Sequence, residues 1–162
     1  MSQENDERLV KLLEPIDYNL KLYRNAIEDL KKELDRDEPD IDKIYDSSSK
    51  TSFYYHLLSN HFCLDNSFFW YCFTRESERE PFMEKVGKKM DELRELEEEM
   101  EEIDERMYQH IDDYKRDHGE VETEKLIESG FIPPASLLII REDEEDLGYR
   151  IEEENEINKA YQ

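Results

Sequence analysis

The side chains best suited to metal or thiol chemistry lie close together in the chain: His56, His61, Cys63 and Cys72. Imidazole and thiolate groups bind zinc, and a Cys–His pair can form a catalytic nucleophile. The spacing HxxxxHxCxxxxxxxxC matches no common zinc pattern, and cysteine is often buried simply as a small apolar group. A reactive thiolate also needs a partly exposed, electropositive site. We therefore predict no metal and no cofactor, and leave the role of these four residues open.

Clustered carboxylates suggest a second chemistry. Glu98-Glu99-x-x-Glu102 supplies oxygen donors of the kind that magnesium requires. It resembles the EExxE element of all-α nucleotide pyrophosphohydrolases of the MazG and dUTPase-like type. The resemblance covers five residues and implies a magnesium-dependent nucleotide hydrolase. The ExxD element expected on a following long helix has no counterpart, because Glu101-x-x-Asp104 lies too close. The hydrolase is our third hypothesis.

Other catalytic signatures are missing from the sequence. No histidine has a glutamate three residues before it, as a di-iron helical bundle would need. The chain has only four glycines, with no glycine-rich phosphate loop and no GxSxG motif. We therefore expect a protein that is not an enzyme.

The charge of the chain excludes one class of partner and favours another. Forty-five acidic residues against 22 lysines and arginines leave a formal net charge of −23. Such a surface repels nucleic acid and anionic membranes and attracts basic proteins. We therefore predict no direct binding to nucleic acid or membrane, and a partner with a basic surface.

A row of glutamates gives this prediction a location. Helical steps of three and four residues place neighbouring carboxylates about 5–6 Å apart on one face. The predicted partner-binding residues are Glu95, Glu98, Glu102, Glu105, Asp112, Asp113, Glu144 and Glu145. Such a row is commonly only a solvated face. Our leading hypothesis is instead a non-enzymatic nucleic-acid mimic that occupies a basic nucleic-acid groove. It would be a phage- or mobile-element-encoded inhibitor of a host restriction complex, nuclease or guide-RNA effector. The alternative is a coiled-coil scaffold or assembly adaptor.

The first element that must support this face is an amphipathic helix. Apolar residues recur every three or four positions from Leu9 to Leu34, as in a heptad stripe. Because proline suits a first turn better than a helix interior, we predict a short arm at about 5–13 and a new start at Pro15. A turn follows at 37–40, with Asp40 as a helix cap, and Ser47-Ser48-Ser49 is predicted to be a linker or cap cluster.

An aromatic segment, residues 53–73, holds five of the seven Phe and the single Trp, and is predicted to lie in the core or in an interface. We expect one broken helix or two short ones, with the break at 64–67, or a strand at 68–73. No 18-residue apolar span and no signal peptide are visible. The expected location is the cytoplasm, which would be the host cytoplasm if the chain is viral.

The longest periodic signal predicts a helix over 81–118, about 55 Å long against about 30 Å for the helix after Pro15. We expect the excess length to support a homodimer. A short helix at 121–129 should stop at Gly130, and 136–141 with 147–151 should form a small hairpin with an acidic tip. The predicted fold is mainly α: an elongated antiparallel helical bundle or coiled coil over 1–118, followed by a short helix and an acidic β-hairpin over 119–162.

Overall fold

The computed structural model describes residues 3–72 and 76–137, with side chains for residues 7, 10, 11, 13–60 and 84–137. Four helices make up most of this part: α1 (Gln3–Leu34), α2 (Ile41–Cys72), α3 (Glu76–His118) and α4 (Glu120–Glu128). A further helical turn covers 134–137, and the described ranges contain no strand. The mainly α prediction is confirmed. The hairpin is not supported, because Ser136 and Leu137 belong to the helical turn. The rest of the predicted hairpin lies outside the described residues.

Helix α1 follows the predicted apolar stripe but does not restart at Pro15. Leu13 and Ile16, on either side of the proline, are both buried in the core. Their burial favours helix on both sides, and it outweighs the one backbone hydrogen bond that a proline removes. The prediction of a separate arm at 5–13 was therefore wrong.

Helix α2 differs most from the sequence prediction. Asp40 caps it as expected, since its Oδ1 accepts the backbone N–H groups of Asp42 at 3.1 Å and Lys43 at 3.4 Å. The helix then continues without a break to Cys72, so the predicted linker at 47–49, the break at 64–67 and the alternative strand were wrong. Ser48 is completely buried within the helix, while Phe53 of the aromatic segment is 48% exposed. The side chains of 61–73 lie outside the described part.

Helix α3 confirms the long periodic signal and begins five residues earlier than predicted, at Glu76. At 1.5 Å per residue it measures about 64 Å, against about 48 Å for α1. Gly119 separates it from α4, and α4 stops just before Gly130, as expected for a glycine in the left-handed region (φ 118°). Because α4 packs on α3, the end of α3 is covered by the same chain. The excess length is therefore no argument for a homodimer.

Helices α1 and α3 run parallel to each other. Helix α2, which lies between them in the sequence, runs in the opposite direction. The relative direction of α1 and α3 follows from the ion pairs between them, because the residue numbers of both partners increase from one pair to the next. The pairs are Asp17–Lys89 at 2.6 Å, Arg24–Glu92 at 3.9 Å, Lys31–Glu99 at 2.6 Å and Asp35–Arg106 at 2.8 Å. Several positions repeat every seven residues and flank the apolar stripes, as charged e and g positions do in coiled coils. The expected antiparallel pairing of these two helices was wrong.

One core lies between the three long helices. It combines the stripes of α1 and α3 with a few residues of α2 and with Phe131. The most deeply buried large side chains include Ile16, Tyr23, Ile27, Leu30, Ile44, Leu58, Leu96 and Met107. This packing fixes the rotation of α3 and so determines which of its carboxylates face solvent.

Candidate functional site

The predicted acidic row lies on the outward face of α3. We call Glu95, Glu98, Glu102 and Glu105 the acidic face. All four are exposed, while Leu96, Met100 and Ile103 on the opposite side are buried. From the helical rise, the four residues span about 15 Å, or about 5 Å of helix axis per carboxylate.

Lysine and arginine partners divide the acids of α3 into two groups. On the flank that meets α1, Glu92 pairs with Arg24 and Lys89, and Glu99 pairs with Lys31. The four carboxylates of the acidic face make no ion pair or hydrogen bond with any residue in the described part of the chain. Lysines and arginines thus pair with acids across the α1–α3 interface, while the acidic face has no such ion pair among the described residues.

The other predicted site residues are less uniform. Asp112 is exposed and lies seven positions after Glu105, so it continues the acidic face along the same side of α3. Asp113 is half-buried and accepts hydrogen bonds from Gln109 and Arg116, both at 3.0 Å. Glu144 and Glu145 lie outside the described residues. The structure thus brings five of the eight predicted positions onto one side of one helix.

Asp104 is a carboxylate that was not among the predicted site residues. It is only 7% exposed, and its Oδ1 accepts the backbone N–H of Ala135 at 3.1 Å. The pKa of Asp104 is raised to about 6, because burial and the charge of Glu101 raise it by more than the hydrogen bond from Ala135 lowers it. No lysine or arginine of the described chain pairs with it. The only sequence signal was its place next to Ile103 at the edge of the apolar stripe.

Tyr23 lies at the centre of the bundle, and acids of α3 surround it. Its hydroxyl donates a hydrogen bond to the sulfur of Met100 at 3.4 Å. Burial raises the pKa of the Tyr23 hydroxyl, and the nearby charges of Glu97 and Asp104 add to this shift. Burial also raises the pKa of Glu97. The inner edge of α3 therefore disfavours negative charge, whereas its outer face exposes it to water.

The histidine and cysteine cluster lies on one continuous helix. His56, His61, Cys63 and Cys72 all belong to α2, and no two of them are three or four positions apart. A helix places two residues on adjacent turns of one face only at those spacings. The backbone of α2 therefore places no two of the four residues on adjacent turns of one face. His56 itself contacts Asn60, with Nε2 3.0 Å from the amide nitrogen.

The EExxE element does not form a convergent magnesium site. Glu98 and Glu102 face solvent, whereas Glu99 turns toward α1 and pairs with Lys31. Among the described side chains, no three His, Cys, Asp or Glu residues are arranged to hold a metal ion. The helices of the described part also include none that is long and apolar enough to cross a membrane.

A cavity of about 370 Å³ lies at the end of the bundle, between the α1–α2 turn, α3 and Phe131. Arg36 and Arg106 line it together with Asp37 and Asp113. Both guanidinium groups already bind carboxylates of α1 or of the following turn. Because the charges around the cavity have both signs, its electrostatics select neither an anion nor a cation.

Comparison with protein-family models, with curated proteins and with solved structures finds no match for this chain.

Proposed function

We propose that this protein is a non-enzymatic binding factor whose acidic face engages a basic surface on another protein. In this proposal the face imitates a nucleic-acid strand and blocks the nucleic-acid groove of an enzyme of host defence, such as a restriction complex or a guide-RNA effector. A phage or mobile element would be the source of such an inhibitor, and the host cytoplasm its place of action.

One observation carries the proposal: the uneven distribution of positive charge around α3. Glu92 and Glu99 have lysine or arginine partners across the helix interface, while the four residues of the acidic face have none among the described residues. Like charges three or four positions apart destabilise a helix by a few tenths of a kcal/mol per pair. The outward row therefore opposes folding slightly, and a cationic partner would relieve that repulsion.

The density of charge suits the proposed role. The acidic face carries about one charge per 5 Å of axis, whereas one strand of B-DNA carries about one per 3.4 Å. The match is close enough for several carboxylates to meet cations that normally contact phosphates. Long-range attraction between such surfaces accelerates association, and salt screens it.

The test is competition for a basic enzyme. A purified restriction endonuclease or guide-RNA nuclease is incubated with a labelled DNA duplex, and the protein is titrated in at several salt concentrations. We expect displacement of the duplex, with an apparent affinity that falls steeply as salt rises. The triple variant Glu98→Lys, Glu102→Lys, Glu105→Lys should bind at least about 100-fold more weakly, because like charges at an interface repel by several kcal/mol.

A matched control separates the face from the overall charge. Glu14, Glu28 and Glu124 are exposed and lie on α1 or α4, and reversing all three changes the net charge by the same amount. This control triple should keep most of the affinity. If it weakens binding as much as the α3 triple does, net charge alone is responsible and the proposed face is wrong.

A second candidate function is an assembly scaffold, which the parallel packing of α1 on α3 and the exposed rings of α2 favour. Tyr45 and Phe53 are 46% and 48% exposed, and large exposed rings are common at protein interfaces. Substitutions at Leu93 or Leu96 cannot test this function, because both residues are buried and their loss would unfold the bundle. A scaffold should instead lose its partner on Phe53→Ser, with little dependence on salt.

A further inference from the structure

A single residue redirects the chain between α3 and α4. Helix α3 ends at His118, α4 begins at Glu120, and Gly119 between them has φ 87° and ψ 175°. This backbone region is essentially restricted to glycine. A Cβ added at Gly119 would meet nothing within 4 Å. An alanine there would therefore act through the backbone conformation alone.

Residues 120–137, which we call the flap, cover the end of α3 that extends past α1. Helix α1 ends at Leu34, where Arg106 donates a hydrogen bond to its carbonyl oxygen at 2.8 Å. Beyond that level Leu126 and Phe131 of the flap pack into the same apolar cluster as Met107 and Ile111. The flap thus replaces α1 as the cover for the last turns of α3.

Few polar contacts hold the far part of the flap closed. The N–H of Ala135 donates to Asp104, and the hydroxyls of Tyr108 and Ser136 lie 2.7 Å apart. In the described chain no ion pair joins residues 121–137 to the three long helices. Whenever the flap is closed, the Asp104 carboxylate must stay buried with no lysine or arginine of the described residues paired to it. The negative charge of Asp104 therefore disfavours the closed flap, whereas the hydrogen bond that Asp104 accepts from Ala135 favours it.

We propose that the flap is a hinged unit, which opens about Gly119 independently of the three long helices and is latched by the contact between Asp104 and Ala135. Opening hydrates the Asp104 carboxylate and exposes the apolar end of α3. The device is separate from the acidic face and does not depend on the proposed function.

Hydrogen–deuterium exchange of the full chain at one neutral pH tests the proposal. Backbone amides of 123–131 should exchange through an opening that leaves the core amides of α1 and α3 protected, as for a sub-global unfolding unit. Gly119→Ala should accelerate exchange in the flap roughly 5- to 150-fold, because the backbone strain penalises only the closed form. Asp104→Asn keeps the acceptor oxygen without the charge, and should slow that exchange roughly 10- to 100-fold.

Gly87→Ala is the matched control, because its added Cβ also meets nothing within 4 Å but lies inside α3. It should leave exchange in the flap unchanged. The proposal is overturned if Gly119→Ala leaves flap exchange at the wild-type rate. It is equally overturned if, in the wild-type protein, the flap amides exchange as slowly as the core amides of α1 and α3, since the flap would then open only with global unfolding.

Discussion

Replacing Asp104 with asparagine should stabilise the protein at neutral pH. The carboxylate is buried and pairs with no lysine or arginine in the part of the chain that the structure describes, and its pKa is raised from 3.8 to about 6, mainly by burial. A raised pKa means that the folded state holds the proton more tightly than the unfolded state does. The contribution of Asp104 to stability is therefore complete below about pH 3.8 and is lost as pH rises through about 6. Asparagine is never ionised and should escape this loss.

The size of the effect follows from the shift. A pKa shift of about two units, at 1.36 kcal/mol per unit, means that ionised Asp104 lowers the free energy of unfolding by at most about 3 kcal/mol above pH 7. The introduced amide nitrogen needs an acceptor, and an unsatisfied donor would cost about 1–3 kcal/mol. Glu101 lies three positions earlier on α3, a spacing at which an amide can donate to a carboxylate, and its charge already acts on Asp104. We therefore expect a net gain of about 1–3 kcal/mol at pH 8. At pH 5, where wild-type Asp104 is mostly protonated, the gain should fall by about 1.4 kcal/mol.

Urea denaturation at pH 8 and pH 5 measures this difference. Urea is uncharged and leaves the electrostatics intact, whereas guanidinium chloride would screen them. Both pH values lie above the sequence pI of about 4.5, where the protein is least soluble. Asp112→Asn serves as the control, because it removes the same charge from an exposed position of the same helix. An advantage for Asp104→Asn that is equal at both pH values, or a loss of stability at both, would refute the reasoning.

Three further predictions concern packing and pairing. The buried hydroxyls of Ser48 and Thr51 have no hydrogen-bond partner among the residues that the structure describes. Ser48→Ala and Thr51→Val should therefore leave the midpoint of thermal unfolding unchanged or raise it. A double-mutant cycle on Lys31 and Glu99 in low salt should give a coupling of about 0.2–1 kcal/mol that disappears in 1 M salt, because both side chains are more than a third exposed. Gly130→Ala should lower stability by more than about 1 kcal/mol, because Gly130 has a positive φ and an added Cβ would lie 3.0 Å from Tyr45 of α2. A smaller loss of stability in a urea titration would show that α4 can shift.

The sequence predicted those helices whose apolar residues form one stripe. The spacing from Val86 to Ile111 predicted α3. Asp40 begins α2 through its side-chain oxygen, and Gly130 follows the end of α4 with a positive φ, as the sequence predicted. Helix α2 was misread because its buried positions carry serine and threonine, residue types that usually favour caps and turns. Burial of Ser48 depends on close contact with neighbouring helices, which periodicity along one chain does not reveal.

The sequence also could not predict the relative direction of α1 and α3, or the burial of residues at the edges of the apolar stripes. Two amphipathic helices give the same pattern whether they pack parallel or antiparallel, and only the ion pairs between α1 and α3 show the direction. For the acidic face, a regular spacing was enough to place Glu98 and Glu102 on the outward side. For Asp104 it was not, because a carboxylate at the edge of a stripe is buried only if another segment, here the flap, lies over it.

The acids of α3 allow stability and binding to be separated by one substitution. Glu102 lies four positions after Glu98 and three before Glu105, and none of the three has a cation in the described chain. Glu102→Lys turns the repulsion from Glu98, Glu99 and Glu105 into attraction, and the attraction to Arg106, four positions later, into repulsion. On balance it should stabilise the isolated protein by about 0.5–1 kcal/mol. A face that only keeps the protein soluble would gain from this change. A face that binds a basic groove would gain stability and lose affinity, as expected where function and stability compete. Measuring both quantities on this variant decides between the two: higher stability with unchanged binding to the basic enzyme would remove the acidic face from the mechanism.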